Sequence, residues 1–285
     1  MYRKITFKGG PLTLSGRVLE AGTPAPNFKA VTQELQELSL LNFNDKIKLI
    51  SSFPSLDTPV CDLQVREFNK KAAKVSSDVV ILGISKDLPF AQKRFCSAND
   101  IKHEMVLSDY RYSSFGINYG VIIKELNLLA RSVFIVDKSN IVRYVQIVDE
   151  LTNPPDYAEV FKNLEEVIRF PTSASNKENL PSKCISCEGK VLPLSKNKIE
   201  ALVSKYQSWE LIEDSKLVKE FKFLNFADTK WFLDILSVIA EEQGHHPVMT
   251  ISYGKIKVTF STHVAGGLTE NDFIMAAFFD EASSV

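Results

Sequence analysis

Along the first half of the chain, short runs of β-branched and aliphatic residues alternate with stretches in which apolar side chains recur every three or four positions. Segments 46–51, 78–85, 132–137 and 141–148 have strand length and composition, and 60–76, 88–98 and 156–168 have helical periodicity. Such alternation predicts an α/β sheet sandwiched by helices. In the helix over 60–76, Cys61, Val65, Phe68, Ala72 and Val75 fall on one face, so Cys61 shares the inward stripe. Its sulfur is expected to open into a pocket against the sheet.

The second half has a different rhythm. Ile199, Leu202, Val203 and Tyr206 mark one amphipathic helix with Ser195 as its cap, and Phe232, Ile235, Leu236 and Ile239 mark another with Asp228 as its cap. Strand-like pieces occupy 209–213, 217–223, 248–253 and 255–262, and a closing helix covers 271–282. In the last strand Ile256, Val258 and Phe260 alternate with Lys255, Lys257 and Thr259. The order α-β-β-α-β-β-α suits an α+β domain, a four-stranded antiparallel sheet with helices over one face.

Between the halves, 170–183 is polar, carries two prolines and shows no apolar period. It reads as a linker joining a domain at 1–169 to one at 184–285, and the 285 residues suit two domains of ~100–200 residues each. Lys+Arg number 34 against 35 Asp+Glu, with no basic stripe, so nucleic acid is not an expected partner. The charged N-terminus is followed by no apolar run, and the longest apolar stretches are strand-length. A cytoplasmic protein without membrane contact is expected. The four cysteines, Cys61, Cys96, Cys184 and Cys187, are too few for a disulfide scaffold. Any bridge is expected to be transient and catalytic.

Cys61 ends the string Phe53-Pro-Ser-Leu-Asp-Thr-Pro-Val-Cys61, a turn emptying into a helix. At a helix's first turn, free N–H groups and the positive end of the macrodipole favour a thiolate. A fast thiol also needs a shaped pocket and donors for the leaving oxygen. Pro54 would shape and shield such a pocket, Thr58 stands three residues before Cys61 with a hydroxyl able to reach it, and Arg131 opens the strand over 132–137.

These residues resemble the thiol peroxidase subgroup of the peroxiredoxins over about 4–168. The matching strings are Pro54-Ser-Leu-Asp-Thr58-Pro-Val-Cys61, Val65-Arg-Glu-Phe-Asn69, Ser85-Lys-Asp-Leu-Pro-Phe-Ala-Gln-Lys-Arg-Phe-Cys96 and Leu129-Ala-Arg131-Ser-Val-Phe, with Ile5-Thr-Phe-Lys-Gly-Gly resembling the subgroup's N-terminal hairpin. The resemblance implies a thioredoxin fold, Cys61 as the peroxidatic cysteine that becomes a sulfenic acid, and Cys96 as the resolving cysteine. It implies that Pro54, Thr58 and Arg131 complete the peroxide site, that thioredoxin is the reductant, and that hydrogen peroxide and alkyl hydroperoxides are the substrates. Two cysteines on separate helices are expected to lie beyond the ~7 Å Cα separation a disulfide allows. Oxidation should therefore unwind one or both helix ends.

Three of the four histidines gather in the second half, in Glu241-Glu-Gln-Gly-His245-His246-Pro247 and Thr262-His263, with Asp272 following. Imidazoles suit acid–base work near neutrality, whereas no acidic or cysteine partner stands at a metal-ligand spacing, so no metal or other cofactor is expected. With Trp209-Glu-Leu, Leu217-Val-Lys-Glu-Phe-Lys-Phe and Ser261-Thr-His263, the pattern resembles pterin-4a-carbinolamine dehydratases over about 184–282. That resemblance implies His245, His246 and His263 as proton-transfer groups around a pterin, Glu241 and Asp272 as orienters, Trp209 as a pocket wall, and assembly into dimers or larger homo-oligomers. Cys184-Ile-Ser-Cys187 is read as structural, with an internal dithiol reductant as its alternative. The rival readings of the whole chain are a peroxidase carrying a dehydratase-like binding or oligomerisation module, and a peroxide-sensing redox relay.

Overall fold

A computed structural model describes residues 3–170, 184–185, 192–204, 206 and 208–283. The expected linker, Phe170 apart, and Cys187 lie outside the described residues. The chain divides into two units, Met1–Lys177 and Glu178–Ser284.

In the first unit the chain runs through β1 (Lys4–Phe7), β2 (Gly10–Ser15), β3 (Lys29–Val31), β4 (Glu37–Ser39), β5 (Ile47–Ser52), α1 (Pro59–Ala72), β6 (Val79–Ser85), α2 (Pro89–Ala98), β7 (Met105–Ser108), α3 (Ser114–Asn118), β8 (Ile122–Ile123), β9 (Leu128–Leu129), β10 (Ser132–Val136), β11 (Val142–Ile147) and α4 (Tyr157–Arg169). Its main sheet has the order β11-β10-β5-β6-β7-β3-β4. The central β5, β6 and β7 are parallel, joined by crossovers through α1 and α2, and the flanking pairings are antiparallel. Parallel strands need coverage on both faces, and the core splits accordingly. Leu49, Ile81, Val133 and Ile135 pack with Phe68 of α1 and Val160 and Leu164 of α4. The alternate residues Ile50, Leu82, Ile84, Phe134 and Val136 of the same strands point to the other face, against Phe28, Phe115 and Tyr119.

The period-two alternation places these residues, while the length of each run limits what periodicity can reveal. Strands β3, β4, β8 and β9, two or three residues each, escape it, as do β7 and α3. The N-terminal hairpin forms as expected, with Lys4 opposite Thr13 and Phe7 opposite Gly10, and joins β8 and β9 in a second small sheet. Helix α1 stops at Ala72 rather than continuing to 76.

The second unit contains α5 (Lys196–Val203), β12 (Glu210–Ile212), β13 (Lys216–Lys222), α6 (Phe226–Gln243), β14 (Val248–Ser252), β15 (Lys255–Phe260) and α7 (Glu270–Ser283). Its strands form one antiparallel sheet, β12-β13-β15-β14. Inward-facing Phe221 meets Phe232 of α6, and Phe260 meets Phe279 of α7, at ring separations of 5.1 and 5.2 Å. Ser195 holds the N-cap of α5, but the cap of α6 is Asn225, not Asp228. The Asn225 side chain accepts from the Asp228 backbone N–H at 2.8 Å and donates to the Asp228 carboxylate at 3.1 Å. This reciprocal pair shifts the helix start three residues upstream.

Cys184 is buried against the ends of α6 and α7. Its N–H donates to Gln243 Oε1 at 3.0 Å, and its sulfur lies 3.8 Å from the Asn271 carbonyl. Asn271 also bonds both backbone groups of Ile185. No helix among the described residues is long and apolar enough to cross a membrane.

Candidate functional site

The first site lies where β5 ends and α1 begins, at the carboxyl ends of the parallel strands. Thr58 is the N-cap of α1 and Pro59 its first residue, where the missing N–H costs nothing. Cys61 is third in the helix and fully buried. The Thr58 hydroxyl does not cap the helix; it donates to Cys61 Sγ at 2.7 Å. From β10's edge the buried Arg131 guanidinium sends Nη2 to the same sulfur at 3.4 Å. A neutral O–H and a fixed cation therefore converge on one sulfur, the geometry that stabilises negative charge there. Pro54 is buried in the turn just ahead.

Three residues missed by sequence reasoning hold this arrangement. Gln64, one turn after Cys61 and fully buried, accepts from Arg131 Nη1 and donates to Ser51 Oγ and the Ser52 carbonyl. The Leu151 carbonyl takes the other edge of the guanidinium, at 3.0 Å from Nη2 and 3.3 Å from Nε. Asp87, in the loop after β6, accepts from Ser55 Oγ and Leu56 N–H, both at 2.8 Å, and so fixes the turn preceding Cys61. The signal for Gln64 was available as a polar residue on the apolar stripe; Asp87 left none.

Cys96 is on the inward face of α2, and the two cysteines are not bridged to each other. They share one apolar cluster with Phe53, Leu56, Val65 and Val106. Among the described residues Cys96 has no cation at its sulfur; the Gln33 amide donates to it at 3.2 Å. Burial pushes its thiol up to about 11; Gln33 opposes the shift and the Glu104 carboxyl adds to it.

In the second unit Gly244 ends α6 in the left-handed conformation, with a φ of 62°, and turns the chain so that His245 enters the interior while His246 faces solvent. His245 Nε2 is 2.9 Å from Asp272 Oδ1, and its ring stacks parallel to Phe260. The other oxygen of the buried Asp272 accepts from the Thr262 hydroxyl at 2.8 Å and from Thr269 N–H at 2.7 Å. The imidazole is thus locked by a carboxylate that is itself locked. His246 pairs with Glu241 at 3.1 Å, both exposed, and His263 is exposed on a short 3-10 turn at His263–Ala265. Trp209 is buried, its indole N–H donating to Asp280 at 2.9 Å and its ring packed on Phe221 and Phe260. Phe260 therefore touches both Trp209 and His245. Among the described residues no three His, Cys, Asp or Glu side chains gather as a metal site.

The first unit has a thioredoxin-like peroxiredoxin fold with a cysteine at the start of α1. Residues 20–161 match the Redoxin family and residues 192–282 match Pterin 4 alpha carbinolamine dehydratase. A thiol peroxidase of Bacillus subtilis is 48% identical over 166 residues, covering 58% of this chain and 99% of the relative. One from Staphylococcus saprophyticus is 47% identical over 164 residues, covering 56% and 99%. The crystal structure of a peroxiredoxin-like protein from Aquifex aeolicus, 42% identical, superposes with a TM-score of 0.55 over 58% of this chain and 97% of that one. A thiol peroxidase structure from Chromobacterium violaceum, 20% identical with a TM-score of 0.53 over 58% and 97%, shares the fold. The chain belongs to the thiol peroxidase family of peroxiredoxins and carries a pterin carbinolamine dehydratase domain at its C-terminal end.

Proposed function

We propose that the first unit reduces hydrogen peroxide and alkyl hydroperoxides. The Cys61 thiolate attacks the terminal peroxide oxygen, the alcohol or water leaves, and Cys61 becomes a sulfenic acid. Arg131 and Thr58 stabilise charge on the sulfur and on the departing oxygen. Cys96 then attacks Cys61, water leaves, and thioredoxin reduces the resulting disulfide. The observation that carries this reading is the convergence of Thr58 Oγ1 and Arg131 Nη2 on Cys61 Sγ. Cys61→Ser should abolish peroxide consumption by the full chain supplied with a thioredoxin system; parental turnover in that variant would overturn it.

In this proposal the disulfide step opens the chain around Cys61, Cys96 or both, the two cysteines being held buried on separate helices. Amide exchange within 60–76 and 88–98 should be faster in the oxidised protein than in the reduced one. Equal protection in both states would remove the need for opening.

The second unit, in the same proposal, dehydrates 4a-hydroxytetrahydropterin to quinonoid dihydropterin. His245, oriented by Asp272, and the accessible His246 and His263 supply the groups that protonate the departing hydroxyl and take the ring proton. Glu241 orients His246, and Trp209 backs the site through Phe260. The open setting of His246 and His263 favours a second reading, a binding or oligomerisation module on the same fold. Accelerated pterin dehydration that is lost in His245→Ala and His263→Ala supports catalysis; no acceleration by the parent chain supports the module.

A further inference from the structure

Glu104 is a buried carboxyl with no use in the chemistry above. It precedes β7 and is 5% exposed, and among the described residues neither of its oxygens has a hydrogen-bond partner. Its backbone is fixed by Asn69 of α1, whose side-chain oxygen accepts from the N–H groups of Lys102, His103 and Glu104. The carboxyl occupies space that only glycine leaves open: a Cβ on Gly83 of β6 would overlap Oε1. The same point is 3.2 Å from the carboxyl carbon and 3.4 Å from the Phe53 ring. Phe53 belongs to the cluster that holds both Cys61 and Cys96, so the carboxyl borders that cluster.

The titratable groups that feel its charge are Cys96 on α2 and Tyr157 at the start of α4, whose own hydroxyl is buried without a partner. Among the described residues no cation pairs with it, and burial lifts it well above the usual carboxylate range. Beneath α2, one turn from Cys96, Gln92 Oε1 is a further buried acceptor without a partner. Disulfide formation needs what such a carboxyl supplies. Cys96 must lose a proton that burial makes hard to remove, and the oxygen on Cys61 must gain one to leave as water.

We propose that the Glu104 carboxyl is the acid–base group of the disulfide-forming step, its carbonyl oxygen taking the Cys96 thiol proton while its hydroxyl delivers one to the oxygen leaving Cys61. The S–S bond forms as S–O and S–H bonds break. The Cys96 sulfur is oxidised, the sulfenic sulfur is reduced, one water is released, and the carboxyl ends as it began. This rests on the peroxidase reading given above.

The test adds one equivalent of hydroperoxide to the full chain and to its Glu104→Gln and Glu104→Asp variants, quenching with time and separating Cys61 sulfenic acid from disulfide by mass across a pH series. Glu104→Gln should slow disulfide formation about 10²-fold relative to Cys61 oxidation and change its pH profile, and Glu104→Asp, which keeps a carboxyl, should recover part of the rate. An unchanged ratio and pH profile in Glu104→Gln overturns the inference. Equal slowing of both steps also overturns it, because it makes Glu104 scaffold only. If the parent chain forms no Cys61–Cys96 disulfide, the reading of Cys96 as the resolving thiol is what has failed.

Discussion

Cys61 and Cys96 share one apolar cluster and are both buried, yet their sulfurs meet opposite electrostatic surroundings. Cys61 faces a buried guanidinium and a hydroxyl, at 3.4 and 2.7 Å. Cys96 faces one neutral amide and lies within the influence of an unpaired carboxyl. Both sulfurs are buried, so the donors around each one, not burial, distinguish the two positions. The adjacent histidines of the second unit repeat the lesson: His245 is locked on a buried carboxylate, and His246 meets its carboxylate in water.

The most severe break of the comparison is at Arg131. Arg131→Met should lower the peroxide reduction rate about 10²–10³-fold in stopped-flow assays, and Thr58→Val roughly tenfold, with Thr58→Ser near parental. Equal losses at the two positions would mean that the cation is not the distinguishing element. Next, in a Cys61→Ser background, Cys96 should react with iodoacetamide about 10²-fold more slowly at pH 7 than an unburied thiol. With its thiol at about 11, the rate should rise nearly tenfold per pH unit between pH 8 and 10. A plateau below pH 9 would erase the contrast.

A smaller effect sharpens the histidine comparison. Asp272→Asn should reduce pterin dehydration about 10–100-fold, whereas Glu241→Gln, which breaks only a solvated pair, should change it less than about threefold. A separate effect, on stability rather than rate, concerns Asp109, whose side chain accepts from the N–H groups of Phe115 and Gly116 at the start of α3. Burial raises its carboxyl to about 7, against the backbone hydrogen bonds and Lys86. A raised acid binds its proton more tightly folded than unfolded. The first unit should therefore lose stability as pH rises from about 4 to about 7, by up to roughly 1.4 kcal/mol per pH unit from this group, in urea titrations of the full chain. Stability rising across that interval would show that other groups outweigh it.

The division between sequence and tertiary structure follows the range of the interactions. Periodicity marks β5, β6, β10, β11, α1, α2 and α4 because each is long enough to show one buried face, and the spacing from Thr58 to Cys61 is local enough to foretell a hydroxyl beside a sulfur. The motifs also carry the family resemblance for both halves. The α6 cap fell three residues from its expected place because Asn225 and Asp228 are both capable caps, and their reciprocal bonds decide between them.

By itself, the sequence determined the α/β then α+β order and the helix-start cysteine, since each depends on neighbours a few residues apart. Only the tertiary structure decided that Arg131, Gln64 and Leu151 gather at Cys61, that Asp272 locks His245, and that Glu104 is sealed over Gly83 without a partner. Those pairings join residues far apart in the chain, and the cost of burying a charge or an unbonded oxygen exists only once the surrounding core has closed.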